Sequence, residues 1–199
     1  MKKTVALSIL FAVIALVMVA APVFAGGVIP VTGSPAAAKP AALTGDVAKV
    51  SVEAVFDYGV VQQPKNNPAF VSEEKGKLTQ FRMAAQYGSL GLLAHNYLAG
   101  APFEKLKVGD IVNVTYTDGS VRQFKVESIL RYQALTPNSP YSKFVDLQTN
   151  KTVTTNDVFA ATYGVKDRLV LQTCIEKNKE PSWGRLFVIA TPYSPIFTD

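Results

Sequence analysis

The sequence predicts an all-β protein, a single closed or nearly closed β-barrel of about eight strands with one or two short helices. Three observations lead there. Short apolar or alternating runs recur between residues 48 and 190, punctuated by Gly, Pro, Asn and Asp. One pair of alternating runs flanks an Asp-Gly turn, a strong hairpin signal. Segments with a helical period are few and brief. Hydrophobic residues make up 48% of the 199, enough for a packed core, so disorder is not expected beyond the N-terminus.

The elements follow in chain order. Residues 1–25 read as a targeting segment. Lys2 and Lys3 precede an uncharged apolar stretch from Val5 to Ala21, and Val23-Phe24-Ala25 offers a small-x-small cleavage site after Ala25. An uncleaved signal anchor is the alternative, since the apolar stretch is about long enough to span a bilayer. Either way the remainder is placed outside the cytoplasm. Residues 26–46 carry Gly26-Gly27, Pro30, Gly33-Ser34-Pro35, a run of alanines and Lys39-Pro40, the composition of a flexible linker. The barrel domain is expected over residues 47–199.

Residues 48–56 alternate and read as a first strand. Residues 62–77 are polar, with Pro64, Pro68 and Gly76, and read as loop. Residues 78–86 have an ambiguous period, open to strand or short helix. Residues 90–95 form an apolar strand candidate ending on His95, followed by a loop at 96–100. Residues 103–106 suggest a single helical turn. The clearest hairpin joins 111–116 to 121–129 through Asp118-Gly119, which makes Asp118 a turn residue rather than a catalytic acid. Residues 136–142 are loop and 144–147 a short strand. Asn156 or Asp157 would cap a short helix over 158–163, stopped by Gly164. The last two strands are 168–174, ending on Cys174, and 185–190, separated by a polar loop at 176–184.

Charge excludes some classes of partner. The net charge is +5, of which two lysines lie in the leader, leaving +3 for the remainder. The basic residues are scattered, with no nucleic-acid footprint. The single Cys cannot form an internal disulfide, so in an exported chain it is either a buried inert thiol or a reactive one. One Cys and one His cannot build a structural zinc site, and one His cannot build a two-histidine zinc protease. No metal and no cofactor are called for.

If the last two strands pair as an antiparallel hairpin, Arg185 lies beside Cys174. A guanidinium there favours a thiolate and can stabilise a developing oxyanion. His95 is positioned at a strand end to donate a proton to a leaving group. Each residue alone also has a plain reading: a buried thiol, a core or surface histidine, a solvated strand-edge arginine. Composition and spacing leave both readings open.

The motifs resemble those of the sortases, extracytoplasmic cysteine transpeptidases. Leu171-Gln172-Thr173-Cys174 is similar to the family's Leu-x-Thr-Cys strand end. Gly91-Leu92-Leu93-Ala94-His95-Asn96 resembles its histidine strand. Phe103, Leu106 and Gly109-Asp110-Ile111-Val112 follow in the family's order, and Arg185 opens the strand after the cysteine loop, with Trp183 at a position where sortases often hold an aromatic residue. The resemblance covers about residues 90–190. Papain-like hydrolases match poorly because their Cys precedes their His. Cysteine L,D-transpeptidases usually carry Gly where Thr173 stands.

The resemblance implies a sortase-like barrel and a transpeptidation. Cys174 would attack a carbonyl in a sorting signal of Leu-Pro-x-Thr-Gly type. Arg185 would hold the oxyanion or the substrate backbone, and His95 would protonate the departing amine. Thr173, Trp183 and Asn96 would meet the substrate. The partners implied are a sorting-signal peptide of a surface protein and an amine acceptor on the cell wall or a pilin. Membrane contact would come only through an uncleaved leader. The competing class is a non-catalytic surface barrel that binds peptide or wall polymer without turning it over.

Overall fold

The computed structural model describes residues 45–194; the expected targeting segment and all but the end of the expected linker lie outside them. Among the described residues there are ten strands: β1 Val47–Val52, β2 Phe56–Gln62, β3 Lys77–Phe81, β4 Leu90–Leu93, β5 Ile111–Tyr116, β6 Val121–Ala134, β7 Phe144–Asp146, β8 Thr152–Val153, β9 Leu169–Lys177 and β10 Glu180–Tyr193. Two α-helices join them, α1 Arg82–Gln86 and α2 Thr155–Thr162, with a 3-10 turn at Ala101–Lys105. No helix among these residues is long and apolar enough to cross a membrane.

The strand order is β10-β9-β4-β3-β2-β1-β5-β6, and β6 pairs back onto β10. That pairing closes eight strands into a barrel and removes the free edges an open sheet would expose. The short strands β7 and β8 extend from β6 outside the ring. The barrel is mixed. The β2–β3 and β4–β9 pairs are parallel, the others antiparallel.

Two apolar clusters explain why β4, β9 and β10 read as continuous hydrophobic runs. Leu90, Leu92, Leu169, Leu171, Leu186 and Val188 point into the barrel with Val50, Val112, Phe103 and Phe124. Their alternates Leu93, Val170, Phe187 and Ile189 point outward, beneath Val158 and Tyr163 of the α2 region and beside Phe144 and Ala84. Strands covered on both faces lose the polar alternation of a half-buried strand.

Several elements differ from expectation for local reasons. The predicted strand over 48–56 breaks in two. Ala54 turns the chain with φ +58°, and a second strand runs from Phe56. That turn carries no Gly, Pro, Asn or Asp. The ambiguous segment 78–86 is both things in succession, strand to Phe81 and helix from Arg82. Helix α2 begins earlier than predicted. Thr154 is the cap: its hydroxyl accepts from the Asp157 N–H, while the Asp157 carboxylate accepts from the Thr154 N–H, a reciprocal capping box. The polar run 176–184 is mostly strand rather than loop, so Cys174 sits within β9 and not at its end. The β9–β10 turn is made by Asn178 and Lys179, both at positive φ, as two-residue hairpin turns require. The Asp-Gly turn forms as predicted, with Gly119 at φ +85° and the Asp118 carboxylate accepting from the Ser120 N–H and hydroxyl.

Candidate active site

Strand parity places Cys174 and Arg185 on one surface. Along β9, Leu169 and Leu171 face the barrel interior and Val170 the outside, so Gln172 and Cys174 also face out. Along β10, Leu186 and Val188 face in and Phe187 out, which turns Arg185 outward too. The antiparallel register makes Arg185 the direct cross-strand partner of Cys174, and Phe187 that of Gln172. On the other side of β9, β4 runs parallel, with Leu93 opposite Gln172. The ladder continues one step through the Ala94 N–H donating to the Gln172 carbonyl at 3.1 Å. Ala94 faces in, and His95 follows it at the level of Cys174.

The chain turns sharply after His95. Its carbonyl accepts from the N–H groups of Leu98 and Gly100, at 3.0 and 2.9 Å. Thr173 braces this turn. It is buried, and its hydroxyl donates to the Ala94 carbonyl at 2.9 Å. It therefore faces the barrel rather than the open surface. Gly100 passes so close to this hydrogen bond that a Cβ there would collide with the Thr173 side chain and the His95 carbonyl. Asn96 ties the same turn to the β9–β10 hairpin, its Nδ2 donating to the Pro181 carbonyl at 3.2 Å. Trp183 is half-buried, with the Lys177 ammonium 4.6 Å from its ring centroid.

Cys174 is a free, half-buried thiol. Arg185 is 7% exposed. Its guanidinium donates to the carbonyls of Ser182 and Gly184, both at 2.9 Å, and of Pro137 at 3.2 Å. All three partners are neutral carbonyls, and no salt bridge to Arg185 occurs among the described residues. His95 stacks on Tyr97, ring centroids 5.1 Å apart. Burial holds the His95 imidazole below its ordinary pKa, opposed by a hydrogen bond to the Val71 backbone and by the negative charge of Glu73. Both opposing groups come from the loop between β2 and β3.

A groove opens on the same outer face, a cavity of about 350 Å³. Gln172, Arg185 and Phe187 form its floor. Its walls come from Phe81, Arg82 and Met83, from Val158, Phe159 and Tyr163, from Gln63 to Pro68, and from the Pro137 to Pro140 loop. The Tyr163 hydroxyl donates to Gln172 Oε1 at 2.7 Å. The groove is mostly apolar with a few convergent polar groups, the usual composition of a binding cleft. No cluster of three or more His, Cys, Asp or Glu suited to a metal occurs among the described residues.

Sequence reasoning missed the groove residues other than Arg185, the Val71 hydrogen bond and Glu73 charge at His95, and the role of Gly100. Gln172 alone left a signal, a polar residue two positions before Cys174 in an otherwise apolar strand. The groove walls come from four separated segments, and only folding brings them together.

A closed mixed barrel of eight strands pairs Cys174 with a buried Arg185 across its last two strands, and Arg185 also lines a groove that neither Cys174 nor His95 lines. A model of the Sortase domain family matches residues 47–193. The chain belongs to the sortase family. Among solved structures it is similar to a lid mutant of sortase A from Corynebacterium diphtheriae, at 16% identity and a TM-score of 0.49, covering 75% of this chain and 71% of that one. Sortase C1 of Streptococcus agalactiae in complex with MTSET matches at 14% identity and a TM-score of 0.46, covering 76% and 69%. Sortase A of Listeria monocytogenes matches at 15% identity and a TM-score of 0.47, covering 75% and 88%. No curated protein matches the sequence.

Proposed function

We propose that this protein is an extracytoplasmic cysteine transpeptidase acting on a sorting signal of Leu-Pro-x-Thr-Gly type. The observation that supports it most is the pairing of Cys174 with Arg185 across β9 and β10, beside an outer-face groove, with His95 delivered by the neighbouring parallel strand.

The peptide lies in the apolar groove with its scissile carbonyl over Cys174. The Cys174 thiol gives its proton to His95 as the sulfur attacks that carbonyl carbon, and negative charge develops on the oxygen. Arg185, fixed by three carbonyl acceptors, stabilises the oxyanion or holds the peptide backbone. His95 gives a proton to the departing amine, which leaves the acyl group as a thioester on Cys174. An amine on the cell wall or on another surface protein gives up a proton to His95 and displaces the sulfur. Water in place of the amine makes the reaction a hydrolysis. Asn96 and Trp183 stand at the rim, one holding the His95 turn and the other lining the approach from the β9–β10 hairpin. Thr173 acts through position, keeping the Cys174 strand registered to the His95 turn.

The test is cleavage of a panel of Leu-Pro-x-Thr-Gly-like peptides, with and without added amines, by the unaltered chain and by Cys174→Ala. Cleavage with amine adducts, both absent in the variant, is expected. Peptide binding without turnover, with a thiol that alkylates no faster than a model thiol, would assign the barrel to binding instead.

A further inference from the structure

The chain ahead of the barrel contains Ile29-Pro30-Val31-Thr32-Gly33. This run has the residue classes of the substrate read for the groove above, in the same order, with Ile in place of its isomer Leu. We propose that the protein is its own substrate, and that this segment enters the groove and is cut between Thr32 and Gly33. The inference rests on the transpeptidase reading and adds to it a particular peptide, carried on the same chain.

Three observations support it. Residues 26–38 contain no charged side chain, so they enter a groove walled by Phe81, Met83, Val158 and Phe159 without burying an unpaired charge. The chain also joins the barrel at Gln80, the residue before groove-lining Phe81. The Gly45 carbonyl accepts from Gln80 Nε2 at 3.1 Å, and the Val47 N–H donates to Gln80 Oε1 at 2.8 Å. The next residues, Phe81 and Arg82, line the groove. Finally, the tether is long enough. The steps from Gly33 to Gly45 reach up to roughly 40 Å when extended. From Phe81 the site at Cys174 is two strands across and about four residues along, on the order of 20 Å.

The chemistry balances within one chain. The Cys174 thiol passes its proton to His95 as its sulfur bonds to the Thr32 carbonyl carbon, and the Thr32–Gly33 peptide bond breaks. The Gly33 nitrogen leaves as an amine, taking its proton from His95. Water then attacks the thioester, returning the thiol and leaving a carboxylate on Thr32. The cut frees a domain beginning at Gly33 from everything before it, the leader included.

The experiment follows the N-terminus of the full chain by intact mass and terminal sequencing. Cys174→Ala and a Pro30→Ala/Gly33→Val double variant are run beside it. All three are also given a synthetic peptide of residues 26–38 and the Leu-Pro-x-Thr-Gly-like panel. The unaltered chain is expected to yield a domain starting at Gly33, and both variants to lose this truncation. The double variant is expected to cut the added peptide after Thr32 as the unaltered chain does. A chain that cleaves the panel but keeps residues 29–33 joined overturns this inference and leaves the transpeptidase reading standing. Truncation that persists in Cys174→Ala overturns it as well. Failure to cleave any peptide sinks both.

Discussion

Thr173 donates its hydroxyl to the Ala94 carbonyl, and that single buried hydrogen bond joins the residue before Cys174 to the residue before His95. The two candidate catalytic residues lie far apart in sequence, on strands that are parallel neighbours. Parallel pairing sets the strands side by side, but β4 ends at Leu93. Beyond it, the Ala94 N–H to Gln172 bond and the Thr173 hydroxyl carry the alignment to the level of the site.

Thr173→Val keeps the shape and removes the hydroxyl. The loss is about 1 kcal/mol for the hydrogen bond, rising to about 3 kcal/mol if the Ala94 carbonyl is left unpaired. Chemical denaturation should show this drop, with Thr173→Ser recovering most of it. Peptide turnover should fall in kcat more than it rises in KM, because the bond aligns groups and touches no substrate. A variant as stable as the original would remove Thr173 from this role.

Gly100→Ala should be costly although the backbone there has an ordinary φ. The added Cβ meets the Thr173 side chain and the His95 carbonyl. Overpacking a tight site of this kind costs roughly 1–3 kcal/mol. The double variant Gly100→Ala/Thr173→Ser should lose less than the sum of the single changes, as contacting residues do. Additive losses would show that the two residues do not press on each other.

Arg185→Lys should not rescue Arg185→Met. A lysine ammonium cannot reproduce the fork that reaches Ser182, Gly184 and Pro137 at once. If Arg185 also holds the oxyanion, peptide cleavage should fall on the order of 10²–10³-fold in both variants. Cleavage near the original rate in Arg185→Lys would reduce Arg185 to a structural tie.

His95 is the only histidine in the chain, so its titration is one resolvable NMR signal. Burial holds its pKa below the ordinary histidine value of 6.5. Glu73→Gln should lower the midpoint further, since the carboxylate charge favours the imidazolium. The unfolded chain then binds this proton more readily than the native one, so native stability rises with pH across the interval from the depressed value to 6.5 and falls as pH drops through it. A midpoint above 6.5, or one that rises in Glu73→Gln, contradicts this electrostatic balance.

Much of the fold was legible in local pattern. The Asp118-Gly119 hairpin, the apolar strands around Leu92, Leu171 and Val188, and the all-β class all follow from alternation and turn chemistry. The failures share a cause. At Ala54 and at Asn178-Lys179 the chain turns through positive φ without a glycine, because strand pairing on both sides holds the turn in place. Local propensity carries no trace of such a constraint at Ala54 or Lys179, although Asn178 is of a type that tolerates left-handed backbone. At 176–184 polar residues hid a strand whose exposed side chains need no apolar partner.

From composition, period and order, the sequence determined an all-β chain with one thiol, one imidazole and a hairpin able to set Arg185 against Cys174. Those conclusions depend on neighbours along the chain, where sterics and side-chain alternation act within a few residues. Tertiary structure alone decided that β4 runs parallel to β9, that β10 closes on β6, and that Phe81, Pro137, Phe159 and Gln172 share one groove. These pairings span tens of residues and are selected by burying both faces of the central strands together. No single segment records that choice, because the free energy that makes it belongs to the assembled core.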